Sequence, residues 1–179
     1  MIGSLVASAA LVVGAAGIAK VISPAPAALM LTQGWRGLRR LPALSTIVRL
    51  GGLVEVAIAA AVIATGARVA AALLAACYLV FTAVALRLVI GRPRTPCGCF
   101  GRAGTAVGRT HVAVDAAFLA AALTGTIRPA GPAAGLLDQG AVVATIGAAQ
   151  VVLLAGLAYL CITALPDLGA DRRRLVEAR

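Results

Sequence analysis

The sequence predicts an all-α protein, a polytopic bundle of transmembrane helices with four core helices and a fifth, C-terminal helix. Hydrophobic residues make up 61% of the 179 residues and only 12% are charged. The mean hydropathy is +1.02, which is far outside the range of a soluble domain. The sequence also lacks the alternating segments of ~10 residues that are typical of a membrane β-barrel.

Five apolar runs follow one another along the chain, at about 3–22, 46–66, 69–90, 111–127 and 141–165. A helix needs ~20 residues to cross a hydrocarbon core of ~30 Å, so each run is expected to span the membrane, including the short fourth one. Gly14 and Gly17 in the first run, and Gly51 and Gly52 in the second, predict close helix packing, because small residues let backbones approach in lipid. No segment between the runs is long enough for a soluble core.

Basic residues are concentrated on one side of this arrangement. The net charge of +10 comes from 16 basic residues, of which only one is Lys, against 6 acidic residues. About twelve of them flank the first and third loops or follow the last run, whereas the second and fourth loops carry only Arg68 and Arg128. The positive-inside rule places the N-terminus outside and the Arg-rich loops in the cytoplasm. This distribution indicates topology and lipid contact rather than nucleic-acid binding. Arg almost to the exclusion of Lys, together with abundant Ala and Gly, indicates a GC-rich genome, so the expected location is a bacterial plasma membrane.

Ionisable side chains within the runs predict an intramembrane polar site, because charges in a bilayer are costly and usually functional. Glu55 lies roughly 12–14 Å inside the second run and needs a partner or a proton. Side chains lean toward the N-terminus of their helix, which brings Lys20 toward Glu55 and makes Arg87 a second candidate partner. His111 and Asp115 share one face of the fourth run. The alternatives are snorkelling of the two cations to headgroups and helix-terminal charge for Asp115.

The loop at 91–110 contains Cys97 and Cys99, separated by a single glycine. Such a pair can exchange disulfides, share a metal ion or mark a structural turn. A bridge between the two thiols would be strained and easily reduced, which favours exchange. A metal site would need His111 and Asp115 as further ligands, and the usual two-residue spacing between paired Cys ligands is absent. No metal ion is therefore assigned.

The chain resembles the methylamine utilisation MauE family, within the broader DoxX-like membrane proteins, in three stretches: Ala-Gly-Ile-Ala-Lys at 16–20 followed by Ser23-Pro24, Glu55, and Cys-Gly-Cys-Phe-Gly at 97–101. The resemblance covers roughly residues 5–128. It implies a core of four helices at 1–128, with 129–179 forming a linker, a fifth helix and a basic tail. It also implies a redox-associated role beside thioredoxin-like proteins, in disulfide formation or thiol transfer to exported proteins.

The leading functional hypothesis is a membrane thiol-disulfide oxidoreductase or electron relay. Cys97 and Cys99 would cycle between dithiol and disulfide with a thioredoxin-like protein or another thiol or disulfide client. His111, assisted by Asp115, would accept a proton, and the charged residues of the first three runs would support the site. A quinone stays open as the electron acceptor, although aromatic residues make up only 3% of the chain. The few aromatics available to line a ring-binding pocket are Trp35, Tyr78, Phe81, Phe100 and Phe118.

Two other functions stay open. One is a non-enzymatic assembly or accessory subunit that docks through the cysteine loop and the intramembrane charges. The other is a transporter with Glu55 as its proton site, although inverted repeats and broken helices are not evident. The side of the cysteine loop is also open, because exported clients favour an outward loop and the Arg distribution favours a cytoplasmic one.

Overall fold

Six α-helices form the part of the chain that the computed structural model describes, which is residues 2–35, 37–38, 41, 43–91, 107–129, 131 and 140–163. They are α1 (Ile2–Ile22), α2 (Ala25–Gly34), α3 (Leu44–Thr65), α4 (Arg68–Gly91), α5 (Arg109–Ile127) and α6 (Ala141–Thr163). All but α2 are long and apolar enough to cross a membrane. The all-α bundle with five candidate spans is therefore confirmed, and the described residues include no strand.

The short helix α2 was not predicted and lies between the first two spans. Pro24 is its N-cap and Pro26 is in its first turn, where a proline costs little because the first backbone N–H groups of a helix have no partner within it. Ala27 and Met30 are buried, and the helix packs against α3 and α4. It therefore covers the end of the bundle at which α1 ends and α3 begins.

The spans α3 and α4 are joined by a very short turn. Gly66 ends α3 in the left-handed conformation, with φ of 57°, and its backbone N–H donates to the carbonyl of Val62 at 2.9 Å. Glycine adopts this conformation without the steric penalty of a Cβ atom. Only residues 66 and 67 separate the two helices.

Helices α1 and α3 cross at close range, as their glycines predict. A Cβ atom on Gly14 would lie 3.2 Å from the Cβ of Ala59, and one on Gly17 would lie 2.6 Å from the carbonyl oxygen of Gly52. The two helices run antiparallel, because earlier residues of α1 meet later residues of α3. Gly51 does not take part, since a Cβ atom there would meet no other heavy atom within 4 Å. The expectation of packing was thus correct for three of the four glycines and wrong for Gly51.

The core lies between α1, α3, α4 and α5, and α6 lies at its edge, where Ala158 joins it. Tyr78 is 1% exposed, and its hydroxyl donates to the carbonyl oxygen of Ala9 at 2.8 Å, which ties α4 to α1. The hydroxyl of Ser8 donates to the carbonyl oxygen of Ser4 at 2.7 Å and also lies 3.2 Å from the carbonyl oxygen of Val151, which brings α6 into contact with α1. Little else of α6 is buried, as its apolar span is only 6% buried within the protein, and such a surface suits contact with lipid tails.

Candidate functional site

A buried ion pair joins the first and second spans. The Nζ of Lys20, near the end of α1, donates to Oε1 of Glu55 in α3, and the two residues are 9% and 8% exposed. The same Nζ lies 4.5 Å from the centroid of the Phe81 ring in α4, within the range of a cation–π interaction. The prediction that Lys20 turns toward Glu55 is confirmed.

The glycine crossing places the two charges opposite each other. Lys20 follows Gly17 by three residues and Glu55 follows Gly52 by three residues, so each charge lies one turn from its glycine on the same helix face. A Cβ atom on either glycine would lie 2.6 Å from the carbonyl oxygen of the other. Because small residues set the helix separation, the pair depends on both glycines.

His111 is held by the start of α5. The backbone N–H of Gly108 donates to Nδ1 of His111 at 3.3 Å, and the N–H of His111 donates back to the Gly108 carbonyl at 3.1 Å. This is half of a capping box, because the side chain at the third helical position accepts from the N-cap N–H, whereas the Gly108 backbone carbonyl takes the place of the N-cap side chain that glycine lacks. Because Nδ1 accepts a hydrogen bond, the hydrogen-bond network assigns the proton of a neutral imidazole to Nε2. The side chain is 96% buried, since the residue is 4% exposed.

One cavity of about 250 Å³ brings most of the predicted site together. Lys20, Glu55, His111 and Asp115 all line it. Two buried polar atoms of these residues, Oε2 of Glu55 and Nε2 of His111, have no hydrogen-bond partner among the described residues. Buried polar atoms are rarely left unpaired, because losing water without a replacement partner is costly.

Arg87 lies apart from this cavity, and the alternative that it pairs with Glu55 is wrong. Its guanidinium stacks over the ring of Trp35 with 4.9 Å from Cζ to the centroid, and the residue is exposed. A long cationic side chain near a helix end extends to the interface, where Trp is also favoured. Arg87 therefore lines a separate groove between the end of α2 and the end of α4.

The remaining wall of the cavity is mostly apolar. It includes Tyr78 and Phe81 of α4, which the sequence offered as ring-pocket candidates, and Met30 of α2 and Gly51 of α3, which it did not. The sequence feature from which α2 could have been predicted is the pair of prolines at its start. The sequence indicates less clearly that Gly51 lines a cavity, because a single sequence does not distinguish such a glycine from one in a helix–helix contact.

The two loop cysteines lie outside the described residues. Val107, the first described residue after them, is 7% exposed and lines the cavity, so the cysteine loop rejoins the bundle at the cavity wall. The described cysteines are Cys77 and Cys161, both unbridged and partly buried. No group of three or more His, Cys, Asp or Glu that could hold a metal ion occurs within the described part of the chain.

A comparison with known protein families matches the part of the chain that contains the site described above. A family model described as methylamine utilisation protein MauE matches residues 2–128. The chain belongs to the MauE family. The MauE match covers α1 to α5, the cavity and the cysteine loop, whereas α6 lies beyond it. Neither the curated proteins nor the solved structures gave a match to this chain. Five apolar helices and MauE membership together make this a multi-pass integral membrane protein.

Proposed function

We propose that this MauE protein is a thiol-disulfide oxidoreductase of the bacterial plasma membrane that acts through Cys97 and Cys99 on a thioredoxin-like or exported client. The observation that supports the proposal is the buried polar cavity at the end of the bundle to which the cysteine loop is joined. Val107 links the two, because it ends the loop and lines the cavity. A loop that only connects two helices needs no ionisable residues in a cavity where it joins the bundle.

The exchange proceeds in two steps that conserve electrons. The thiolate of one loop cysteine attacks a client disulfide, so a mixed disulfide forms and one client thiolate leaves. The second loop cysteine then attacks the mixed disulfide, which closes the Cys97–Cys99 bridge and releases the second client thiolate. Two electrons have passed from the loop to the client, and two protons leave the loop thiols. The reverse sequence oxidises a client dithiol.

The polar cavity offers these protons an acceptor. In the described geometry Nδ1 of His111 is engaged by the Gly108 amide, so His111 faces the cavity as a donor. The acceptor without a partner is the buried Oε2 of Glu55, a residue that Lys20 holds in place through Oε1. The role of His111 and Asp115 as proton acceptors stays a prediction, and for His111 it requires release of the Gly108 hydrogen bond.

Single serine variants test the exchange. Cys97→Ser and Cys99→Ser are made in a Cys77→Ser/Cys161→Ser background, so that only the loop thiol reacts. One single variant should accumulate a mixed disulfide with a client on non-reducing gels, because the resolving thiol is missing. The double loop variant is the matched control and should trap nothing.

Two results decide between exchange and docking. If the double loop variant restores wild-type growth to cells that lack the gene, the thiols are dispensable and the protein is a docking subunit instead. A membrane-impermeant maleimide applied to intact cells of the same background reports the side of the loop. Labelling indicates an outward loop, and labelling only after lysis indicates a cytoplasmic one, as the Arg distribution predicts.

A further inference from the structure

The described part of the chain supplies no carboxylate to the guanidinium of Arg87. Its only acidic residues are Glu55 and Asp115, and both line the cavity inside the bundle, from which Arg87 is separate. The end of α4 carries a partial negative charge of about half a unit that acts within its last turn, and this does not replace a carboxylate. An anion that pairs with Arg87 must therefore come from outside this part of the protein.

The groove beside Arg87 has room for such an anion. Its volume is about 850 Å³, which is within the range of ligand pockets, ~300–1,000 Å³. Gly37 and Gly91 line it without a side chain, and a Cβ atom on either would meet no other heavy atom within 4 Å. The Trp35 ring covers one face of the guanidinium, so the N–H groups at its edge are the donors that remain for a ligand. This planar fork matches the oxygens of a phosphate.

Arg87 also ends a lipid-facing stripe of α4. Leu73, Val80 and Arg87 recur every seven residues, which places them on one face of the helix. Leu73 and Val80 are 48% and 57% exposed, and Arg87 is exposed as well. At 1.5 Å per residue, Val80 lies about 10 Å and Leu73 about 21 Å along the helix from Arg87, which is the depth of one leaflet and more. A lipid with an acyl chain on this stripe has its head group at Arg87, whereas a client protein outside the hydrocarbon does not reach the stripe.

We propose that the groove between α2 and α4 binds the phosphate of an anionic phospholipid. The N–H groups of Arg87 donate to the phosphate oxygens, the Trp35 ring holds the guanidinium in place, and an acyl chain lies along Val80 and Leu73. Among the described residues, the groove has no carboxylate to hold the ammonium group of a zwitterionic lipid. Basic pockets between membrane helices suit anionic head groups, and one Arg favours them about fivefold. The proposal concerns a lipid and does not rest on thiol exchange.

The fluorescence of Trp35 tests this site, because it is the single Trp of the chain. The full chain is placed in vesicles of phosphatidylcholine with a small fraction of phosphatidylglycerol. Bromine on the acyl chains quenches Trp at short range, and the label is placed either on the phosphatidylglycerol or on an equal amount of the phosphatidylcholine. The first label should quench Trp35 as though its lipid were enriched about fivefold at the groove. Equal quenching by the two labels overturns the proposal, and it is the result expected if the groove docks a client protein instead.

Two variants separate the groove from the general charge of the surface. Arg87→Gln removes the phosphate donor and should abolish the preference for phosphatidylglycerol. Arg49→Gln is the matched control, because Arg49 is an exposed residue near the start of α3 at the same end of the bundle and does not line the groove. It removes the same charge and should keep the preference. If both variants lose the preference equally, the surface charge as a whole attracts the lipid and the assignment to the groove is wrong.

A second measurement covers the case in which Arg87→Gln also releases the Trp35 ring. Native mass spectrometry of the purified full chain should detect bound phosphatidylglycerol on the wild type and on Arg49→Gln, but not on Arg87→Gln. Equal retention by Arg87→Gln overturns the proposal. Glycerol 3-phosphate distinguishes a lipid from a free phosphate. If it reverses the quenching at the concentration of the brominated phosphatidylglycerol, the groove takes a free phosphate and the assignment of a lipid is wrong.

Discussion

The crossing of α1 and α3 predicts that alanine at Gly17 destabilises the protein while alanine at Gly51 does not. A Cβ atom on Gly17 would lie 2.6 Å from the Gly52 carbonyl oxygen and 3.0 Å from the Cβ of Glu55. A close carbon–oxygen contact between helices is ~3.3 Å, so the backbones must separate by about 0.7 Å. Overpacking of this kind costs about 1–3 kcal/mol.

The comparison between the two glycines isolates that cost. Both substitutions gain a similar amount of helix propensity, and only Gly17→Ala meets the opposite backbone, so the free energies of unfolding should differ by about 1–3 kcal/mol. Steric trapping in bicelles measures both values. Equal stability of the two variants would refute the reasoning, because it would mean that the close approach of the helices is unimportant.

A second experiment tests whether the close crossing of α1 and α3 supports the ion pair between Lys20 and Glu55. If separation of the helices weakens the contact between Lys20 and Glu55, then Gly17→Ala should cost less in a Lys20→Met/Glu55→Met background than in the wild type. A double-mutant comparison reports this coupling directly. If the changes in the free energy of unfolding are strictly additive, the long Lys20 side chain follows Glu55 when the helices separate. Glycine packing and ion pairing would then be independent.

Three other predictions use the same unfolding measurement. Glu55→Gln or Lys20→Met alone should lower the free energy of unfolding by about 3–5 kcal/mol, because each leaves a buried group without its partner. The double variant Lys20→Met/Glu55→Met should lower it much less, and a double variant as unstable as the single ones would contradict this reasoning. Tyr78→Phe should cost about 1 kcal/mol, since an α1 carbonyl loses its buried donor, and no loss would show that the bond is dispensable. Gly66→Ala should lower the free energy of unfolding by more than about 1 kcal/mol, because its φ is 57° and a Cβ atom there would lie 1.9 Å from the carbonyl oxygen of Gly131. Gly156→Ala should not lower it, since a Cβ atom there meets nothing within 4 Å.

The spans could be predicted from sequence because hydrocarbon thickness imposes a length and a composition on each of them. Each predicted run lies within three residues of the corresponding helix bounds. The helix α2 was missed for the same reason, since it is too short to span and hydropathy gives no signal for it. Its evidence was local, in the prolines at 24 and 26, which permit a helix start as readily as a loop.

The members of the site could be predicted, but the choice between partners could not. Lys20, Glu55, His111 and Asp115 are conspicuous because ionisable groups are rare in spans. Depth and side-chain direction allowed both Lys20 and Arg87 to approach Glu55. The structure selects Lys20 because the glycine crossing brings α1 against α3, whereas α4 turns Arg87 to Trp35 at the interface. That selection depends on which helices are neighbours, which one sequence does not state.

The buried pair is best explained by the carboxylate oxygen that it leaves without a partner. A buried ion pair rarely adds stability over a well-packed apolar pair, so stability alone does not account for Lys20 and Glu55. Lys20 binds Oε1 and balances the charge, and the other oxygen, Oε2, stays buried and has no hydrogen-bond partner among the described residues. An uncharged Gln in place of Glu55 would offer the cavity an amide of uncertain orientation and leave Lys20 unbalanced. The arrangement therefore holds one carboxylate oxygen at a fixed place inside an apolar bundle, in a residue that shares its cavity with Val107, where it can take up a proton.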